Sequence, residues 1–131
     1  MKGFADDIEK LTEENDKFRE VLYTGRHMQL VLMAIQPGEE IGAETHEGHD
    51  QFFRFETGTG EVTIDGVVTR VKADDGVIVP AGARHNVVNT GSEPLRLYTI
   101  YAPPEHKDGT VHKTRAEADA SDEHFDGRTT E

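Results

Sequence analysis

The chain has 131 residues, enough for one domain around a single hydrophobic core, and carries 26 Asp and Glu against 14 Lys and Arg, a formal net charge of -12. That acidic balance excludes the basic footprint that nucleic acid requires and disfavours anionic membrane surfaces. There is no cysteine, so no disulfide framework, thiolate ligand or cysteine nucleophile is available. Residues Met1 to Lys10 contain no apolar run of signal-peptide type, and no stretch is apolar enough to span a bilayer, so a soluble, cytoplasmic protein is expected.

In chain order, Ile8 and Leu11 are spaced i, i+3 within the charged segment Asp6 to Glu20, which predicts a short amphipathic N-terminal helix. Phe18 to Tyr23 and Gln29 to Ile35 read as strands, the second almost wholly apolar and therefore buried. Pro37-Gly38 ends it. Gln51 to Phe55 and Glu61 to Ile64 follow, then an Asp65-Gly66 hairpin signal, Val67 to Val71, the short strand Val77 to Val79 stopped by Pro80, and a last strand from Leu95 to Tyr101. Short strands punctuated by Gly and Pro predict an antiparallel sandwich or barrel with its core over about residues 18–104. From Glu105 to Glu131 the pattern dissolves into a polar, acidic tail, with one or two helical turns over Ala116 to Ala120 and the rest solvated or lying on a neighbour.

Two polar clusters stand out from the strands. The first spans Gly38, Glu44-Thr45-His46, Gln51 and Gly58, and the second is Pro80-x-Gly82-x-x-His85-x-x-x-Asn89. Glu44 and His46 are two apart, so on a strand both point to one face. The second cluster resembles the second sequence motif of the cupin superfamily, lacking only its leading glycine, where Asp74 stands. The first cluster keeps every gap of the first cupin motif but has Glu44 where a histidine is expected and Gln51 where a glutamate is expected. The resemblance implies an all-β fold, the cupin jelly-roll barrel or double-stranded β-helix, with the helix and polar tail outside it.

It also implies a metal held by Glu44, His46, Gln51 and His85. The usual three imidazoles and one carboxylate become two imidazoles, one carboxylate and one amide oxygen at unchanged net ligand charge, a set suited to a divalent transition metal such as Fe, Mn, Ni or Zn. The alternative is a polar network lining the barrel mouth without metal. His49 fits neither strand parity nor the motif and is expected on an exposed turn; a bulge at Gly48 would instead make His46, His49 and His85 the ligands. Phe53 and Phe55 are assigned to the core, Asn89 to a backbone-binding role, and His27, His106, His112 and His124 to the surface.

Cupins include isomerases, dioxygenases, decarboxylases, lyases and binding proteins. The expected partner is a small oxygenated molecule, sugar-like or keto/enol. The reaction would be an isomerisation of the mannose-6-phosphate isomerase type, with an iron-dependent dioxygenase or a non-enzymatic binder as alternatives. A phosphosugar would need basic residues near the mouth, for which Arg54, Arg84 and Arg96 are the candidates. A homodimer is expected, covering a sheet edge near Phe18 to Tyr23 and Gln29 to Ile35.

Overall fold

The computed structural model describes residues 1–131. Two antiparallel sheets face each other across one apolar core. The larger runs β10 (Val111–His112), β1 (Arg19–Thr24), β2 (Gln29–Ile35), β9 (Leu95–Ala102), β4 (Asp50–Thr57), β7 (Gly76–Val79). The smaller runs β3 (Glu44–Thr45), β8 (Arg84–Asn89), β5 (Thr59–Ile64), β6 (Val67–Lys72). This is the expected jelly-roll barrel. Helix α1 (Ile8–Glu14) is shorter than the charged segment that predicted it; the Asp7 side chain caps its start by accepting from Lys10 N. Helix α2 (Arg115–Ala120) follows β10.

Strand alternation builds the core. Val31, Met33 and Ile35 on β2, Phe53 and Phe55 on β4, Val87 on β8 and Leu95 and Leu97 on β9 are all fully buried. Each such side chain contributes roughly 1.5–3 kcal/mol of burial. Phe53 and Phe55 are core, as their sequence alternation requires. The Asp65-Gly66 turn has positive φ at both residues, 45° and 83°, the two-residue geometry that matches strand twist.

The acidic tail, read from sequence as solvated or lying on a neighbour, lies on its own barrel. After β9 the chain returns so that β10 pairs with β1, Phe125 N donates to Glu105 O (3.0 Å) and Thr130 N donates to Thr24 O (2.9 Å). The buried Gln29 amide anchors this return, donating to His106 O and accepting from the backbone N–H groups of Glu105 and His106. The β1 edge over Arg19 and Glu20 is thereby covered from within the chain. His106 and His112, expected on the surface, are 8% and 6% exposed because this return carries them inward. His27 and His124 are exposed.

Candidate functional site

The two polar clusters meet at one end of the barrel. β3 pairs with β8 so that Glu44 stands opposite His85, and Gly82 N donates to His46 O at 2.9 Å. Gly82 has φ +86°, a backbone setting that disfavours any residue with a Cβ, and it turns the second loop beneath His46. Ala81 N donates to Asp50 Oδ1 and Gly42 N to Asn86 Oδ1, each at 2.9 Å, so the loops carrying Glu44, His46 and His85 are tied together by backbone donors. Asn89 binds backbone as expected, donating to Ile35 O and Glu93 O and accepting from Gly91 N.

His46 is the centre of the cluster. Its ring lies 5.4 Å from that of His85, 5.9 Å from that of His49 and 5.9 Å from that of Tyr101. His46 Nε2 is 3.0 Å from Glu44 Oε2, and its Nδ1 is 3.8 Å from Glu105 Oε1. The hydrogen bond with Glu44 raises the His46 pKa; burial opposes it, and the Glu44 and Glu105 charges add to the rise. Burial pushes the Glu44 carboxyl up, but the hydrogen bond and charge of His46, aided by Arg19 and His85, prevail and hold it below its ordinary value. His85 is 4% exposed and its Nδ1 lies 3.1 Å from Ala83 O. Donation from Nδ1 to that carbonyl leaves the Nε2 lone pair free.

Gln51 enters from β4. Its amide nitrogen donates to Thr99 Oγ1 at 3.0 Å, while its Oε1 is buried without a partner. Tyr101 sits beside it in the β4–β9 register and is 2% exposed; burial pushes its hydroxyl far above the ordinary tyrosine range. His106 Nε2 lies 3.3 Å from the Tyr101 hydroxyl.

His49 is not on an exposed turn. Its Nε2 lies 3.0 Å from Glu105 Oε2 and its Nδ1 2.7 Å from Pro103 O, so the chain leaving β9 draws the imidazole into the mouth. Both its nitrogens face acceptor oxygens. Two residues of this constellation were not legible in the sequence. Glu105 lies just past Pro103-Pro104, where the strand pattern ends, and Arg19 opens β1 with an apparently ordinary charge. By contrast the three arginines expected near the mouth do not enter it. Arg54 pairs with Glu56 and Asp74 on the outer face, Arg96 binds Asp16 and the Asn15 carbonyl, and Arg84 is exposed.

The chain matches the cupin domain model over residues 31–101. It is 45% identical over 128 residues to the uncharacterized protein YrkC of Bacillus subtilis, covering 93% of this chain and 69% of that one. It superposes on the crystal structure of BH2720 from Bacillus halodurans with a TM-score of 0.90 at 47% identity, covering 92% of this chain and 96% of that one. A shorter similarity, 29% over 76 residues, links 58% of the chain to 16% of the mannose-1-phosphate guanylyltransferase of Escherichia coli. No helix is long and apolar enough to cross a membrane. Since the matched residues include both strands that supply Gln51 and His85, the chain is a member of the cupin domain family.

Proposed function

We propose that the barrel holds a divalent transition metal through Glu44, His46, Gln51 and His85 and presents it to a small oxygenated substrate in an isomerase-type proton transfer. The observation that carries this reading is the Gln51 amide oxygen, buried without a partner, together with the buried His85, whose Nδ1 is already tied to a carbonyl. A buried acceptor without a donor costs about 1–3 kcal/mol, and a metal would satisfy it. Two imidazoles, a carboxylate and an amide oxygen suit Fe, Mn, Ni or Zn. A bound ion would supply Lewis-acid polarisation of a substrate carbonyl or hydroxyl.

The protein's own groups support proton transfer. Glu105 is half-buried at the mouth, held by His49 at 3.0 Å, and near His46. It is a carboxylate placed to take a proton from a ligand, with His49 orienting it. Tyr101 stays protonated and offers a donor from the barrel wall.

Metal analysis of protein purified without chelator tests the reading, with one ion per chain expected in the wild type and none in His85→Ala. Wild-type protein that takes up no Fe, Mn, Ni or Zn would overturn it. Metal with substrate-dependent oxygen uptake would turn it into an oxygenase, and metal without turnover into a binding protein.

A further inference from the structure

Arg19 is the one arginine turned into the barrel. In the strand register it stands opposite Met33 on β2 and His112 on β10, and all three are buried. Arg54, Arg96 and Arg115 each have a carboxylate partner, whereas Arg19 has none within 4.0 Å. Its hydrogen-bond neighbour is His112, with Arg19 Nη1 3.2 Å from Nδ1, and its guanidinium carbon lies 5.3 Å from the Phe18 ring centroid. Its Nε is buried with no partner. The residue is only 8% exposed, and it packs against His112 on the same return of chain that brings His106 to 3.3 Å from the Tyr101 hydroxyl. It therefore lies under the return that borders the site, where its charge reaches Glu44 and His46.

A buried guanidinium with no carboxylate in contact is costly, and an anion meeting it there would offset that cost. We propose that Arg19 is the recognition group for a carboxylate on the ligand of this barrel, and that the substrate class is a small oxygen-rich monocarboxylate, a hydroxy- or keto-acid. The fork of N–H donors matches a carboxylate in two parallel hydrogen bonds. A phosphate suits the place less. Glu44 and Glu123 feel the Arg19 charge without touching it, so a dianion would meet more repulsion there than a monoanion. The proposed function gains a polarity from this: the carboxylate rests on Arg19 while the substrate's second oxygen faces Glu44, His46 and Gln51. The inference rests on the barrel interior being the ligand site and does not depend on the metal.

The test follows the Arg19 Nε–H resonance of 15N-labelled, EDTA-treated protein during titration with sodium acetate. Acetamide, sodium chloride at equal ionic strength and inorganic phosphate serve as comparisons. Acetate should shift the resonance saturably in the millimolar range, and the other three should not. In Arg19→Met, acetate-dependent shifts of neighbouring amides should weaken roughly tenfold or more. Arg19→Lys keeps the charge but not the fork and should fall between, which guards against a Met variant that folds poorly. No saturable shift with acetate, or an equal one with acetamide, overturns the proposal; tighter binding of phosphate overturns the monocarboxylate. Acetate binding in wild-type protein that takes up no metal removes the metal reading and leaves this one standing. Metal uptake without any acetate response does the converse.

Discussion

Glu44 and His85 stand directly opposite each other across the β3–β8 pair, so the carboxylate and imidazole face the same side of the sheet from adjacent strands. With Glu44 also 3.0 Å from His46 Nε2, it is the one carboxylate in contact with the proposed ligand imidazoles from within the first motif. Glu44→Gln keeps the shape and removes the charge. Metal affinity should fall by more than about 100-fold, the upper end of what loss of an outer, orienting partner costs. Gln51→Glu should tighten the site and favour harder metals, because a charged oxygen replaces a neutral one. Competition titrations with a chromophoric chelator measure both.

His49 has both nitrogens turned to groups outside the first motif, Glu105 and the Pro103 carbonyl, so in this arrangement neither is aimed at the proposed ligand set. His49→Ala should retain metal while turnover falls, since Glu105 loses the group that orients it. Metal content by mass spectrometry separates the cases. If His49→Ala empties the site and Glu44→Gln leaves it full, the ligands are His46, His49 and His85.

At the proposed site a metal would compete with protons for His46. Its pKa is raised mainly by Glu44, so the stability it lends the metal-free protein is complete below about 6.5 and is lost as pH rises through the raised folded value. Glu44, held low, contributes above about 4.3 and loses its contribution as pH falls through its lowered folded value. Metal needs the deprotonated imidazole, so its affinity should climb with pH over the range where the metal-free protein loses this support. Thermal unfolding with and without zinc should therefore diverge steadily above neutral pH. Parallel curves would show that His46 is not a ligand.

The barrel, the hairpin turn, the core phenylalanines and the loop carrying His85 were legible because each depends on local chemistry: alternation, a positive-φ turn, or a Pro-x-Gly loop. Arg19 and the tail were not. Nothing adjacent to Arg19 says that it faces inward; that follows from its register with Met33 and His112, one of them 93 residues away. Glu105, His106 and His112 lie in chain without period, held by single bonds such as those of Gln29, which leave no pattern in sequence. His49 was misplaced for the same reason, since its partners come from beyond β9.

The outer face of the larger sheet carries a stripe in direct register over five strands: Tyr23, Leu30, Ile100, Phe52 and Ile78. Ile78 is 69% exposed, and Met28, beside the stripe, is 50% exposed. We propose that a second copy of the chain covers this face. A twofold interface sets the same patch against itself, and the stripe's own side chains are uncharged. The Glu131 carboxylate meets it at the Tyr23 end, across the sheet from Ile78, which limits the repulsion of two chains at -12 each. Because β10 already occupies the β1 edge at Arg19 and Glu20, the assembly uses the sheet face rather than that edge. Light scattering at micromolar concentration should give twice the 14.6 kDa chain mass for the wild type and the chain mass for Ile78→Lys. A wild-type mass of one chain would end the proposal.

Glu123 latches the tail over the barrel. Its carboxylate accepts from His106 Nδ1 at 2.7 Å and from Lys107 N at 2.9 Å, and His106 in turn reaches the Tyr101 hydroxyl at 3.3 Å. Burial pushes Glu123 up, but the bonds from His106 and Lys107 outweigh it and hold the carboxyl low. Its contribution is therefore present above about 4.3 and disappears as pH falls through the lowered folded value. Glu123→Gln removes the charge at every pH and should cost about 1–2 kcal/mol, several degrees in Tm. The loss should be local. Hydrogen exchange at the amides of Phe125 and Thr130, which donate to Glu105 O and Thr24 O, should accelerate while core amides such as Phe55 hold. Tyr101 would then keep its place in the register but lose the imidazole that fixes its hydroxyl. Unchanged exchange at both tail amides in Glu123→Gln would mean that β10 and the Gln29 contacts hold the tail without the latch.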